Sequence, residues 1–64
     1  MLQNLTLLLI AAQVLFDFAA RKPEELSISK GEMLSSVKKV SDDWCNGKNA
    51  AGKSGNFPAS YGEL

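Results

Sequence analysis

Val14-Leu15-Phe16-Asp17-Phe18 is the stretch that sets the fold class. Val14, Phe16 and Phe18 alternate with Leu15 and Asp17, and β-branched or aromatic side chains at every second position suit a half-buried pleated strand. The spacing predicts a first strand running to about Phe18. Outward from it the punctuation is dense and the apolar segments are short. Arg21-Lys22-Pro23-Glu24-Glu25 is polar and holds a proline, and Leu26-Ser27-Ile28 then alternates again, which reads as a long hairpin loop. Lys30-Gly31-Glu32 marks a turn, Met33 to Val37 a strand, and Lys38, Lys39, Ser41, Asp42 and Asp43 a polar interval around Val40. Trp44 opens the next apolar point. Asn46 to Gly55 holds three glycines and no long apolar run, so it should contain a strand end, a hairpin turn and the next strand, and Phe57-Pro58 closes the pattern. Four or five short strands at this spacing imply a small all-β barrel or two orthogonal sheets, because closure protects strand edges.

The chain has 64 residues, enough for one small domain. A domain of this size buries only about 60% of the surface it exposes when unfolded, so its stability margin is thin. Lysine plus arginine and aspartate plus glutamate both number 7, and the net charge is zero. An electrostatic grip on nucleic acid needs a basic surplus, so no nucleic acid partner is expected. With no histidine, histidine-ligated zinc, Ser-His-Asp triads and imidazole proton shuttles are excluded. Cys45 is the only cysteine, which rules out an internal disulfide or a tetrathiolate metal site and favours a reducing, cytoplasmic setting. No nucleophile and base pair stands out. The chain is expected to be non-catalytic and to need no cofactor.

Residues 1–11 form an apolar extension ahead of a domain spanning 12–64. Leu5-Thr6-Leu7-Leu8-Leu9-Ile10-Ala11-Ala12 resembles the hydrophobic part of a secretory signal but lacks a basic segment before it. Gln13 and Asp17 interrupt it well short of the roughly 20 apolar residues that cross a bilayer, so membrane contact is not expected. The simpler reading is the first strand with an extra apolar edge. Asn4-Leu5-Thr6 fits the glycosylation pattern, which matters only in a secreted chain.

Gly47-Lys48-Asn49-Ala50-Ala51-Gly52-Lys53-Ser54 matches the phosphate-binding pattern G-x-x-x-x-G-K-[ST] in full. That chemistry needs a helix after the loop, whose N-terminus converges with loop amides on phosphate. Gly55, Asn56 and Pro58 oppose such a helix. The segment is expected to be a hairpin with solvated lysines, and no nucleotide partner is expected.

Four segments in order resemble one family. Val14-Leu15-Phe16-Asp17-Phe18 is similar to the ALYDY opening of SH3 domains, and Glu25-Leu26-Ser27-Ile28-Ser29-Lys30-Gly31-Glu32 to their E-L-S-F-x-K-G-D/E segment. Asp43-Trp44 resembles the start of their D-W-W motif. Gly55-Asn56-Phe57-Pro58-Ala59-Ser60-Tyr61 resembles their G-x-F-P-x-N/S-Y closing motif. The resemblance implies a five-stranded SH3-like barrel with an RT loop over Ala19 to Glu25, an n-Src loop over about Lys38 to Asp43, a distal hairpin near Lys48 to Ala51 and a short 3₁₀ turn over Ala59 to Tyr61.

It also implies a non-catalytic, monomeric interaction module for proline-rich segments with a flanking arginine or lysine, working in signalling, cytoskeletal or endocytic assemblies. Carried over by position, Phe16, Phe18, Trp44, Pro58 and Tyr61 would line the ligand groove, with Asn56 and Ser60 beside it, whereas Phe57 faces the barrel. Polyproline helices are stiff and have no internal hydrogen bonds, so flat aromatic walls and the Trp44 and Tyr61 donors suit them. Glu24 and Glu25 in the RT loop, with Asp42 and Asp43 near Trp44, would supply a negative pocket for the flanking cation, Glu25 foremost.

The pattern departs in places. Phe16 and Phe18 lack the hydroxyls of the usual tyrosines, and Asn56 replaces a bulkier groove neighbour. Cys45 stands for the common second tryptophan. Ser36 and Gly62 fall where the family has aliphatic core residues, and such losses typically cost about 2–5 kcal/mol each. The expectation is a marginally stable barrel, helped by the amino-terminal leucines packing across one end. A divergent SH3 fold with non-proline contacts or lost peptide binding is the alternative.

Overall fold

A computed structural model describes residues 10–64. It contains strand β1 at Ala12–Val14, β2 at Met33–Lys39, β3 at Trp44–Lys48, β4 at Ser54–Pro58 and β5 at Gly62–Glu63, with a 3₁₀ turn at Ala59–Tyr61 between the last two. All pairings between these strands are antiparallel and the order across the sheet is β4-β3-β2-β1-β5. The fold is all-β, as the short apolar segments require. The edge of β4 does not stand open, because Glu25 bridges Asn56 and the Leu26 amide donates to the Asn56 carbonyl at 2.8 Å. Gly55 permits this approach: a Cβ there would lie 2.8 Å from Leu26 Cβ and 2.9 Å from the Leu26 amide nitrogen. The base of the loop between β1 and β2 is thereby seated on β4.

One core holds Ala12, Val14, Phe18, Leu26, Ile28, Leu34, Val37 and Phe57, with Trp44, Cys45 and Tyr61 packed against it. Period-two alternation turns Ala12 and Val14 of β1 inward, and in β4 it buries Phe57 two residues beyond the buried Gly55. β2 breaks the rule: Leu34 and Val37 are buried while Ser35 and Ser36 are both exposed. The cause is a register shift between Ser35 and Lys38 opposite β3, with Ser36 at φ 52°. The bulge turns Val37 inward where strict alternation would have placed Ser36.

Three expectations are corrected by this arrangement. The first strand ends at Val14, not near Phe18, because the Leu15 amide donates to the Tyr61 carbonyl and the Lys30 amide to Asp17 Oδ1, replacing a ladder. Phe18 pairs only with Ile28. Ser36 is no vacancy in the core, since Val37 takes the inward place. Gly62 is no vacancy either, because the Phe57 ring reaches it. The expected packing of the amino-terminal leucines lies outside the described residues, as do most of the apolar extension and the Asn4 sequon. The phosphate-loop pattern forms the β3–β4 hairpin, in which Asn49 Oδ1 accepts from the Ala51 and Lys53 amides and no helix follows. No helix among the described residues is long and apolar enough to cross a membrane.

Candidate functional site

Four aromatic side chains converge at one end of the sheet. Phe16 follows β1 and is 57% exposed, an unusual position for a large apolar ring. Its ring meets Tyr61, on the 3₁₀ turn, edge-on at 5.4 Å between centroids. Phe18 stands nearly perpendicular to Tyr61, at 6.1 Å and 89°, and meets Trp44 edge-on at 6.0 Å and 71°. These edge-to-face contacts fix the rings as a continuous ridge-and-groove surface, each pair contributing on the order of 1 kcal/mol. Trp44 opens β3 directly opposite Pro58, which ends β4 and precedes the 3₁₀ turn, so the two walls are set by strand register.

Phe18 differs from its partners. At 8% exposure it belongs to the barrel core and forms the floor between Trp44 and Tyr61, so it serves packing and surface together. The Arg21 guanidinium lies over its ring at 5.8 Å, a cation–π contact from the neighbouring loop.

Beside the aromatic surface is a polar cavity of about 250 Å³, lined by Lys22, Glu24, Glu25, Val40, Ser41, Trp44 and Asn56. It joins the loop after Phe18 to the loop between β2 and β3 across the Trp44 ring. Glu24 is exposed there. Glu25 is buried, its Oε1 accepting from the Arg21 amide at 2.8 Å while its own amide donates to the Lys22 carbonyl. One oxygen of Glu25 is thus committed to holding its own loop closed. Asn56 Oδ1 accepts from Asn46 Nδ2 at 2.9 Å, which makes the β3–β4 wall a paired amide in place of a bulky side chain.

Asp42 and Asp43 are exposed on the β2–β3 loop and do not line this cavity; the Asp43 carbonyl instead accepts from the Ala59 amide. Ser60 is exposed on the 3₁₀ turn between Ala59 and Tyr61. The cavity's negative charge therefore comes from Glu24 and Glu25 alone and is partly offset by Lys22. Lys22, Val40 and Ser41 were not singled out by sequence, since only the seating of Glu25 on Asn56 brings the two loops together. Among the described residues no cluster of three acidic or cysteine side chains forms that could hold a metal ion.

Residues 13–59 match the family model of the SH3 domain. The chain is 43% identical over 53 residues to the myosin IC heavy chain of Acanthamoeba castellanii, covering 83% of this chain and 4% of that protein. It is 43% identical over 54 residues to vinexin of Mus musculus, covering 84% of this chain and 7% of the relative. The chain thus spans less than a tenth of the length of these two proteins. Among solved structures, the SH3 domain of the yeast actin binding protein Abp1 matches 86% of this chain and 97% of its own, with a TM-score of 0.81 at 28% identity. The carboxy-terminal SH3 domain of myosin IB from Entamoeba histolytica, solved bound to a peptide, shares the fold with a TM-score of 0.74 at 24% identity, over 83% of this chain and 86% of its own.

Proposed function

The chain belongs to the SH3 domain family, protein-interaction modules found in signalling and cytoskeletal proteins, and from that premise we propose that it binds proline-rich segments in the polyproline II conformation. The observation that carries the reading is the exposed Phe16 ring held edge-on against Tyr61, with Phe18 as floor and Trp44 and Pro58 as the far wall. A left-handed helix of three residues per turn presents proline pairs as ridges, and grooves between rigid rings accept them with little further ordering. The Trp44 indole N–H and the Tyr61 hydroxyl are donors suited to peptide carbonyls that have no internal partner.

The cavity across Trp44 takes an arginine or lysine flanking the prolines. Glu24 meets it from the exposed rim, and the uncommitted oxygen of Glu25 from the base. Pairing at so open a site sets ligand orientation and association rate more than affinity, which is expected in the micromolar range. We place the domain in the cytoplasm as a monomeric, non-catalytic link in cytoskeletal, endocytic or signalling assemblies, in keeping with its relatives. Chemical-shift titration with P-x-x-P-x-R and R-x-x-P-x-x-P peptides tests this. Saturable shifts at Trp44 and Tyr61 are expected, and silence at millimolar peptide would overturn the reading.

A further inference from the structure

The loop that joins β1 to β2 changes sign along its length: Arg21 and Lys22 precede Pro23, and Glu24 and Glu25 follow it. Lys22 and the two carboxylates line the cavity across Trp44, whereas Arg21 is not among its walls. The exposed Arg21 instead sets its guanidinium over the Phe18 ring, 5.8 Å from the centroid. Phe18 meets both Trp44 and Tyr61, so it stands between the aromatic slots and the cavity. A full positive charge therefore sits where the two parts of the site join.

The backbone beneath that charge is held at three points. Phe18 and Ile28 exchange amide-to-carbonyl bonds at 2.9 Å, the Ala20 amide donates to Ser27 Oγ at 2.9 Å, and the Arg21 amide donates to Glu25 Oε1 at 2.8 Å. Stacking on the ring removes further freedom from the side chain. A guanidinium so placed offers its planar fork of N–H donors at little extra ordering cost, and a carboxylate is the group that accepts such a fork through both oxygens.

We propose that Arg21 reads a carboxylate on the ligand, so that the preferred partner is a proline-rich segment with an aspartate or glutamate between its prolines and its basic residue. This rests on the peptide-binding reading above. The order follows from the rings: a segment with its prolines at Phe16 and Tyr61 and its cation in the cavity beyond Trp44 crosses Phe18, over which the guanidinium lies. A ligand carrying both signs mirrors the two halves of the loop, and Arg21 disfavours segments that are basic throughout.

The experiment is chemical-shift titration with P-x-x-P-D-R and P-x-x-P-N-R peptides, and with R-D-x-P-x-x-P and R-N-x-P-x-x-P for the opposite orientation. In one orientation the aspartate peptide is expected to bind about three- to fivefold more tightly than its asparagine counterpart, the scale of an exposed ion pair. Raising the salt should shrink that preference. Arg21→Gln should abolish it and leave the asparagine peptide's affinity little changed, since the amide bond to Glu25 belongs to the backbone. Arg21→Glu should reverse it, favouring P-x-x-P-K-R over P-x-x-P-D-R, or the same exchange in the opposite orientation. If every peptide binds but aspartate and asparagine are equal in both orientations, this inference falls and the groove reading stands. A preference that survives Arg21→Gln would assign it to another cation and sink the role of Arg21. Tighter binding of all peptides alike by Arg21→Gln would make Arg21 an obstacle in the groove and also defeat the proposal. Silence with all of them removes the groove reading and this inference together.

Discussion

The Phe57 ring fills the space that a side chain on Gly62 would take: a Cβ on Gly62 would lie 3.1 Å from Phe57 Cε2. The opposite edge of the same ring is held as closely, since a Cβ on Gly47 would lie 3.1 Å from Phe57 Cε1. One large side chain therefore occupies the room of two missing ones, and two glycines are the condition for it. Gly62→Val, which restores the family's aliphatic residue, is expected to destabilise the domain by about 1–3 kcal/mol through overpacking against a ring that cannot retreat. Combining it with Phe57→Val should recover part of that loss. A double-mutant cycle read by urea denaturation checks the coupling, and additive single effects would show that the ring and Gly62 do not compete.

Ser36 makes the companion case in β2. Its φ of 52° lies in the left-handed region, which costs a non-glycine residue roughly 1–2 kcal/mol. Ser36→Gly relieves that strain but loosens the unfolded chain, so a net gain of up to about 1 kcal/mol is expected. For a domain of this size that is a rise in Tm of about 4–8 °C. Ser36→Val should lower Tm, because a β-branched side chain is least suited to this conformation and would be exposed there. Calorimetry on both variants decides, and a stabilising valine would mean that Ser36 faces the core after all.

These two residues also mark how far the sequence could be read. Alternation and turn residues were enough for an all-β fold, since both depend on local spacing, and the resemblance carried by four ordered motifs added the 3₁₀ turn that forms at Ala59–Tyr61. What remained hidden depends on long-range fit. A bulge that swaps Ser36 for Val37, or a ring that reaches across to Gly62, leaves no periodic signal, so both positions look like losses until the neighbours are seen. The same limit applied to charge. Asp42 and Asp43 read as groove acids by their nearness to Trp44 in sequence, yet their loop is held by the Asp43 carbonyl to Ala59, and Lys22, Val40 and Ser41 take the cavity wall.

Phe16 and Phe18 look equivalent in the sequence and are expected to separate cleanly on mutation. Phe16 is 57% exposed, so Phe16→Ala should change stability by less than about 1 kcal/mol while removing a groove wall and weakening a proline-rich peptide about tenfold or more. Phe18 is part of the core, and Phe18→Ala is expected to cost about 3–5 kcal/mol. Its loss of binding would then report unfolding. Parallel urea titrations and peptide titrations distinguish the two, and a Phe16→Ala variant that binds normally would remove that ring from the proposed site.

Glu24 and Glu25 are adjacent but do different work. Glu24 is exposed on the cavity rim, so Glu24→Gln should leave stability unchanged and weaken an arginine-flanked peptide by no more than about fivefold, the scale of an exposed ion pair. That preference should shrink as salt is raised, because exposed charges are screened. Glu25 accepts the Arg21 amide from a buried position, so Glu25→Ala strands a donor and is expected to cost about 1–3 kcal/mol as well as binding. Glu25→Gln keeps the acceptor oxygen and removes only the charge, which isolates the electrostatic part. Fluorescence titration of the three variants with lysine- or arginine-flanked and uncharged proline peptides reads the difference. If Glu25→Gln binds the charged peptide as well as the unmodified domain does, the carboxylate serves the loop alone and Glu24 carries the recognition of the cation.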